Sequence, residues 1–317
     1  MKKIALEEHF LAPAFVEGFK QHMRDLPEKA MQNILTRLQD FGDQRLAAMD
    51  AASIERSFLS LTSPGVQAEP DTARAVRLAH ETNDFLAEKI ELHPTRFGGL
   101  AHLALQDPTA AADELERCVR QLGFRGAMIN SHTNGHYLDE DQYTPFWERV
   151  QDLGVPVYLH PANSYQKMQL YEGHPELLGA TWSWTVETAT HALLLVFGGV
   201  FERFPKAQLI LGHMGETLPY LLWRLDSRAR LAGLPQGLTK LPSEYIKSNI
   251  VVTTTGVCAD ESLQCALAAL GEDNVLFSVD YPFEESETAS RWIEKAPLSD
   301  EVRAKVCHQN AERVLGL

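Results

Sequence analysis

A single (β/α)8 barrel with helical insertions over its C-terminal mouth is the fold this sequence predicts, and three observations predict it. Short β-rich runs recur with helical stretches between them, the alternation of a parallel βα sheet. Several runs are continuously apolar, as in Val155-Pro156-Val157-Tyr158-Leu159, which suits strands covered on both faces. The length of 317 residues accommodates one barrel of about 250 residues with excursions. No internal repeat or linker divides the chain, so residues 1–317 read as one domain.

Taken in order, the first β run is Lys3 to Leu6. Pro13 to Leu46 is too long for an ordinary βα loop and reads as a helical excursion over the barrel mouth. Ser57 to Leu61 and Phe97 to Leu103 are the second and third runs. Asp107-Pro108 then opens a helix, Ala110 to Leu122, that ends at Gly123. The fourth and fifth runs are Gly126 to Ile129 and Val155 to Leu159. A second insertion, Asn163 to about Leu178, carries Tyr165, Lys167, Tyr171 and His174 and leads into a helix through Trp182 and Trp184. Its aromatic residues either wall a pocket or pack a small core of their own. Gln208 to Leu211, Ile250 to Thr254 and Val275 to Val279 complete the eight.

Composition narrows the function. With 44% hydrophobic residues, 20 Gly and 16 Pro spread along the chain, a packed core is expected and a low-complexity architecture is not. A charge of −14, from 43 acidic and 29 basic residues, argues against nucleic acid as a partner, because phosphate contact needs clustered Lys and Arg. It leaves room for a small anionic substrate held by local charge. Cys118, Cys258, Cys265 and Cys307 form no CxxC pair, so neither a disulfide framework nor a thiolate zinc site is expected, and a reducing cytoplasm is the simplest location. The apolar start of a signal peptide after Met1-Lys2-Lys3 is cut off by Glu7 and Glu8. The longest apolar run, Ala192 to Phe201, is far short of the roughly 20 residues that span a bilayer.

Enzymes of this fold build their sites at the C-terminal strand ends, and four of the eight runs end in metal-ligand residue types. The first leads into Glu7-Glu8-His9, where strand alternation puts Glu7 and His9 on one face and Glu8 on the other. The fifth ends at His160, the sixth is followed by His213, and the eighth ends at Asp280. Singly, each is more readily a polar residue that has found a partner. Together Glu7, His9, His160 and Asp280 form a mixed nitrogen and oxygen set suited to one divalent ion, Mn2+ or Zn2+, with room for water or substrate. His213 is then free for proton chemistry. Glu216 either orients it through a hydrogen bond or is a helix-start glutamate favoured by the macrodipole.

The other histidines carry less weight. His191, four residues after Glu187, has a spacing that more often marks a local contact than a metal pair. His102, His132 and His136 lie near strand ends as lesser pocket candidates, and His22, His80, His93 and His308 are expected at the surface. Cys258 has no evident base to make it a nucleophile.

In order along the chain, Glu7-Glu8-His9-Phe10, His160-Pro161, the run Leu209 to Glu216 and Asp280-Tyr281-Pro282 resemble the amidohydrolase superfamily. The branch they resemble is that of the metal-dependent decarboxylases, which includes the γ-resorcylate, 2,3-dihydroxybenzoate and 5-carboxyvanillate enzymes and is similar to aminocarboxymuconate semialdehyde decarboxylase. The resemblance implies that Glu7, His9, His160 and Asp280 hold the metal. It also implies that Thr62 and Arg224 bind substrate and that the protein is a homodimer or homotetramer. An arginine fork matches a benzoate carboxylate. The residues alone leave Arg224 equally able to pair with Asp226, and Thr62 to bond its own backbone. Where hydrolytic members use His-x-His and a bridging lysine on strand four, this chain has Glu7-x-His9 and ends strand four in Met128-Ile129-Asn130, so a two-metal centre is not expected. The substrate stays open. Ile129 to Thr133, Tyr137 to Glu140 and Leu61 to Val66 look like the carboxyvanillate enzyme, and Glu7 to Phe10 like the dihydroxybenzoate ones.

The implied reaction is non-oxidative decarboxylation of an ortho-hydroxylated benzoate, with Asp280 as proton donor and His213 and Glu216 relaying protons or binding the phenolic oxygen. The alternatives are a metal-dependent hydrolase, with His213 as acid or base, and a non-catalytic barrel stabilised by its metal.

Overall fold

The structure, a computed structural model, describes residues 1–24 and 26–317. Among them are eight parallel strands: β1 (Lys3–Phe10), β2 (Ile54–Leu61), β3 (Phe97–Gly99), β4 (Ala127–Asn130), β5 (Val157–His160), β6 (Leu209–Leu211), β7 (Ile250–Thr253) and β8 (Val275–Leu276). They pair in chain order as two arcs, β1 to β3 and β4 to β8. Single parallel bridges, Ala101 to Ala127 and Glu8 to Tyr281, join the arcs at both seams. At the second seam the His9 N–H donates to the Tyr281 carbonyl at 2.7 Å and the Asp280 N–H to that of Glu7 at 3.1 Å. The eight expected runs therefore come round as one barrel.

The interior of the barrel is filled by side chains that alternate along the strands: Ile4, Leu6, Phe58, Leu100, Met128, Tyr158, Ile210, Val251 and Leu276. Ala311, Val314 and Leu315 of the last helix, Asn310–Leu315, plug the bottom. The opposite strand faces pack against the surrounding helices in a larger apolar cluster. Two residues beyond Met128 and Tyr158 on the same inward face come Asn130 and His160. Polar residues thus cap the apolar plug at the C-terminal end.

β1 departs from simple alternation. Ala5 pairs with Ser57 and Glu8 with Leu59, three positions on β1 against two on β2. This bulge follows the inward Leu6 and turns Glu7 and His9 inward as well. Glu8 is left on the far face, where its Oε1 accepts from the Ser278 hydroxyl and the Val279 N–H at 3.2 and 3.1 Å. A bulge re-aims side chains in this way beside active sites. It also carries β1 four residues past the expected end at Leu6. β3 and β8 stop short of their expected ends, at Gly99 and Leu276, although Leu103 and Val279 stay buried.

Both insertions cover the C-terminal mouth. The first forms helices Val16–His22 and Glu28–Gln39 and enters Asp43–Ala51, with its own small core of Leu11, Phe19, Leu35 and Leu38. The second, after β5, is a series of short 3-10 turns. Trp182 precedes the helix Ser183–Phe197 rather than lying in it. The helix expected from Ala110 runs Pro108–Arg120, started by Asp107, whose carboxylate accepts from the N–H groups of Thr109 and Ala110. It ends before Gly123, which turns the chain at φ 72°. No helix among the described residues is long and apolar enough to cross a membrane.

Candidate metal and active site

Glu7, His9 and His160 are buried at the barrel mouth, with one ligand atom of each within 4.8 Å of the others. His160 Nε2 lies 3.4 Å from Glu7 Oε1, and the two imidazole rings stand edge to face at 4.8 Å. Each remaining polar atom is occupied elsewhere. His160 Nδ1 donates to the Pro161 carbonyl at 2.8 Å, His9 Nδ1 is 3.3 Å from the Ser60 hydroxyl, and Glu7 Oε2 accepts from the Tyr158 hydroxyl. What is left, Glu7 Oε1 and His9 Nε2, is buried with no hydrogen-bond partner. Unpaired buried acceptors are costly, and two of them turned toward a third free imidazole nitrogen fit a divalent cation.

Burial, opposed in part by Glu7, holds His9 down at about 4 and His160 at about 3, so both present neutral lone pairs. Burial pushes the Glu7 carboxyl up, but the neighbouring imidazoles, His213 foremost, and the Tyr158 hydrogen bond outweigh it and leave Glu7 lowered. Asp280 completes the rim with Oδ1 3.2 Å from His9 Nε2. Burial and the neighbouring charge of Glu7 raise it well above the usual carboxylate range.

His213 stands on the other side of Asp280, with Nε2 4.0 Å from Asp280 Oδ2. Its Nδ1 is bonded to Glu216 Oε1 at 2.7 Å. Burial would lower His213, yet the charge and hydrogen bond of Glu216, with Glu7 and Asp280 behind them, lift it to about 10. These carboxylates favour the protonated ring. Glu216 is not a helix-start glutamate in any ordinary sense. His213, Met214, Gly215, Glu216 and Thr217 all have positive φ, from 49° to 79°, a left-handed turn that costs a non-glycine residue about 1–2 kcal/mol each. Asp280 also sits at φ 86°. Backbone strain gathers at the two residues that face each other across the mouth, as it does at functional sites.

A further layer holds Glu7 in place. The Tyr158 hydroxyl also meets Thr253 Oγ1 at 2.8 Å and Thr255 Oγ1 at 3.4 Å. Gly212 leaves space for this contact, since a Cβ there would lie 2.7 Å from Glu7 Oε2. Sequence reading did not pick out Tyr158, Thr253 or Thr255. Tyr158 could have been found two residues before His160, on the same face of β5.

The remaining expectations sort plainly. Thr62 is buried at the end of β2 and borders a cavity with Leu11, Phe15 and Ser63. Arg224 is exposed on the helix Leu218–Ala232 and takes no part in the network around the cluster, nor does it pair with Asp226, which binds Ser243 instead. His102 is a buried strut: its Nε2 accepts from the Leu61 N–H, and its backbone is clasped by Asn83. His191 Nε2 accepts from the Leu138 N–H, and both His191 and Glu187 reach Ser131 rather than a metal. His136 pairs with Glu140 in solvent. His132 bonds the Asn163 carbonyl at 2.9 Å, tying the β4 loop to the second insertion. His22, expected at the surface, instead lines a cavity with Asn130, His132 and Tyr165. The second insertion does both things considered for it, Tyr165 bordering that cavity and Tyr171 packing inward.

Comparison with known proteins agrees with this geometry. The family described as Amidohydrolase matches residues 9–317. A γ-resorcylate decarboxylase of Polaromonas sp. (strain JS666) is 43% identical over 324 residues, covering 99% of this chain and 98% of the relative. A crystal structure of a dihydroxybenzoic acid decarboxylase from Polaromonas sp. JS666, with bound manganese and the inhibitor 2-nitroresorcinol, superposes with a TM-score of 0.93 at 42% identity. It covers 100% of this chain and 97% of that one. The structure of a 5-carboxyvanillate decarboxylase from Sphingomonas paucimobilis gives a TM-score of 0.91 at 36% identity, covering 100% and 99%.

Proposed function

The chain belongs to the amidohydrolase family, and from that premise we propose that it is a carboxy-lyase that decarboxylates an ortho-hydroxylated benzoate without an oxidant. The observation that carries the reading is the pair of buried, unpartnered atoms, Glu7 Oε1 and His9 Nε2, beside His160 and Asp280. A divalent ion held there, Mn2+ in preference to Zn2+, would neutralise the substrate's carboxylate and adjacent phenolic oxygen and fix the ring. The manganese in the Polaromonas structure supports that preference.

The rest is the work of side chains. Asp280, raised and adjacent to the cluster, holds a proton and delivers it to the ring carbon that bears the carboxylate. The bond from that carbon to the carboxylate then breaks, its electron pair restores the aromatic ring, and CO2 leaves. The imidazolium of His213 returns a proton to Asp280 or binds the phenolic oxygen, and Glu216 fixes its orientation and charge. Thr62 contacts substrate at the end of β2; Arg224, exposed and outside the network around the cluster, has no part in the chemistry of its own protomer's site.

The whole chain, residues 1–317, acts as one catalytic unit in the cytoplasm. It assembles as a homodimer or homotetramer, which the exposed Tyr220, Trp223 and Leu231 on one helix support. Metal-loaded protein should release CO2 from 2,6-dihydroxybenzoate (γ-resorcylate), 2,3-dihydroxybenzoate or 5-carboxyvanillate. Incorporation of solvent oxygen into product without CO2 would establish a hydrolase instead.

A further inference from the structure

We infer that Glu187 is a positioning residue for His213: in its protonated form its Oε2 donates to Oε2 of Glu216, so the two carboxyls share one proton and Glu216 stays aimed at the imidazole. Glu187 has no part in the chemistry proposed above. It lies on the helix Ser183–Phe197, which packs against the turn His213–Glu216. Both carboxyls are buried, at 6% and 1% exposure. Each already has one oxygen engaged. Glu216 Oε1 is bonded to His213 Nδ1 at 2.7 Å, and Glu187 Oε1 accepts from the Ser131 hydroxyl. The second oxygen of each, Oε2, is buried with no partner among the described residues. Buried polar atoms are almost always paired, and two carboxylates can pair only with a proton between them.

An acid and a carboxylate complete each other, whereas two ionised carboxylates enclosed together repel. Burial raises Glu187 to about 7, with the charge of Glu216 adding to it, against hydrogen bonds from Ser131 and Tyr137. The other titratable groups around Glu187 are Tyr137, on the loop after β4, and His191 and His132 beyond Ser131. Burial lowers both imidazoles, so neither offers a cation to offset a second negative charge. His213 offsets one, that of Glu216. The brace matters because Glu216 sits at φ 52°, a conformation that persists only where its surroundings over-determine it. As pH climbs through 7 the shared proton is lost, the carboxylates repel, and the aim of Glu216 on His213 loosens.

The test compares metal-loaded wild type, Glu187→Gln and Glu187→Leu across about pH 5.5 to 9, by kcat and KM and, without substrate, by the infrared bands of protonated carboxyls. Only the kinetic arm rests on the decarboxylase reading. A glutamine amide donates as the acid does but cannot ionise, and a leucine does neither. Wild-type kcat should fall severalfold as pH passes 7, and in Glu187→Gln that fall should be absent. In Glu187→Leu kcat should be lower by about tenfold or more at every pH, the scale of losing an outer partner, with KM little changed. One carboxyl band of the wild type should vanish near pH 7 and be missing from both variants. In Glu216→Gln the same band should vanish at lower pH, because the neighbouring charge is gone. If Glu187→Leu does not fold, Glu187→Gln and the band carry the test. A Glu187→Gln profile that keeps the wild-type fall, Glu187→Leu with wild-type kcat, or a band indifferent to Glu216 overturns the role of Glu187. CO2 release from no hydroxybenzoate, with the band titrating as described, overturns the decarboxylase reading and leaves the bond between the carboxyls standing.

Discussion

At the scale of single residues the site separates the proposed metal ligands from the proposed proton carriers by their surroundings. Burial lowers His9 and His160, whereas His213, with 24% of its side chain exposed, is raised by the charge and hydrogen bond of Glu216. Asp280 lies between the two groups. Replacing Asp280 with Asn should lower turnover by 10³-fold or more, toward the upper end of what a general acid contributes, while circular dichroism shows a folded barrel. Near-normal activity would remove Asp280 as donor. Tyr158→Phe tests the support beneath Glu7. Loss of an outer partner of a ligand typically weakens metal affinity by about 10–100-fold, measurable by competition with a chelator. An unchanged affinity would reduce Tyr158 to packing. The ligand types at Glu7, His9, His160 and Asp280 were legible because each comes close behind an apolar run. Tyr158 was not, because a tyrosine at an inward position carries no charge or metal-ligand signature.

Elements set where those residues point. Alternation correctly put Glu7 and His9 on one face, but it is the bulge between Ala5 and Glu8 that makes this the inner face. Nothing in Lys3 to Phe10 announces the extra residue, since a bulge is decided by pairing with β2 and β8. The left-handed turn from His213 to Thr217 was equally hidden: only Gly215 among the five is a residue type that signals positive φ. The helix Ser183–Phe197 supplies a pH test. Burial raises Glu187 from its ordinary 4.5 to about 7, against hydrogen bonds from Ser131 and Tyr137 that lower it. A carboxyl raised in the folded state adds stability that is complete below pH 4.5 and is lost as pH climbs through 7. Relative to wild type, Glu187→Gln should therefore gain about 2–3 kcal/mol of unfolding free energy between pH 5 and 8, followed by urea denaturation. A flat difference would show that Glu187 titrates normally.

For the whole molecule, the barrel and its eight runs were readable from the alternation of apolar strands and helices, which reflects burial on both faces of each strand. Less readable was the traffic over the mouth. His22 from the first insertion, Ser63 from the β2 loop and Tyr165 from the second insertion border one cavity, a convergence of segments more than 30 residues apart in sequence that no local pattern reports. Metal and fold should also be linked, because a cation bound only by the native state stabilises it. Stripping the protein with a chelator should lower its melting temperature, and manganese should restore it. Glu7→Gln should show a much smaller change. The most direct measurement supplies metal-loaded protein with 2,6-dihydroxybenzoate labelled with ¹³C in the carboxylate. Labelled CO2 should appear in step with 1,3-dihydroxybenzene, and chelated protein should give none. Intact carboxylate in every product, or equal release without metal, would contradict the account.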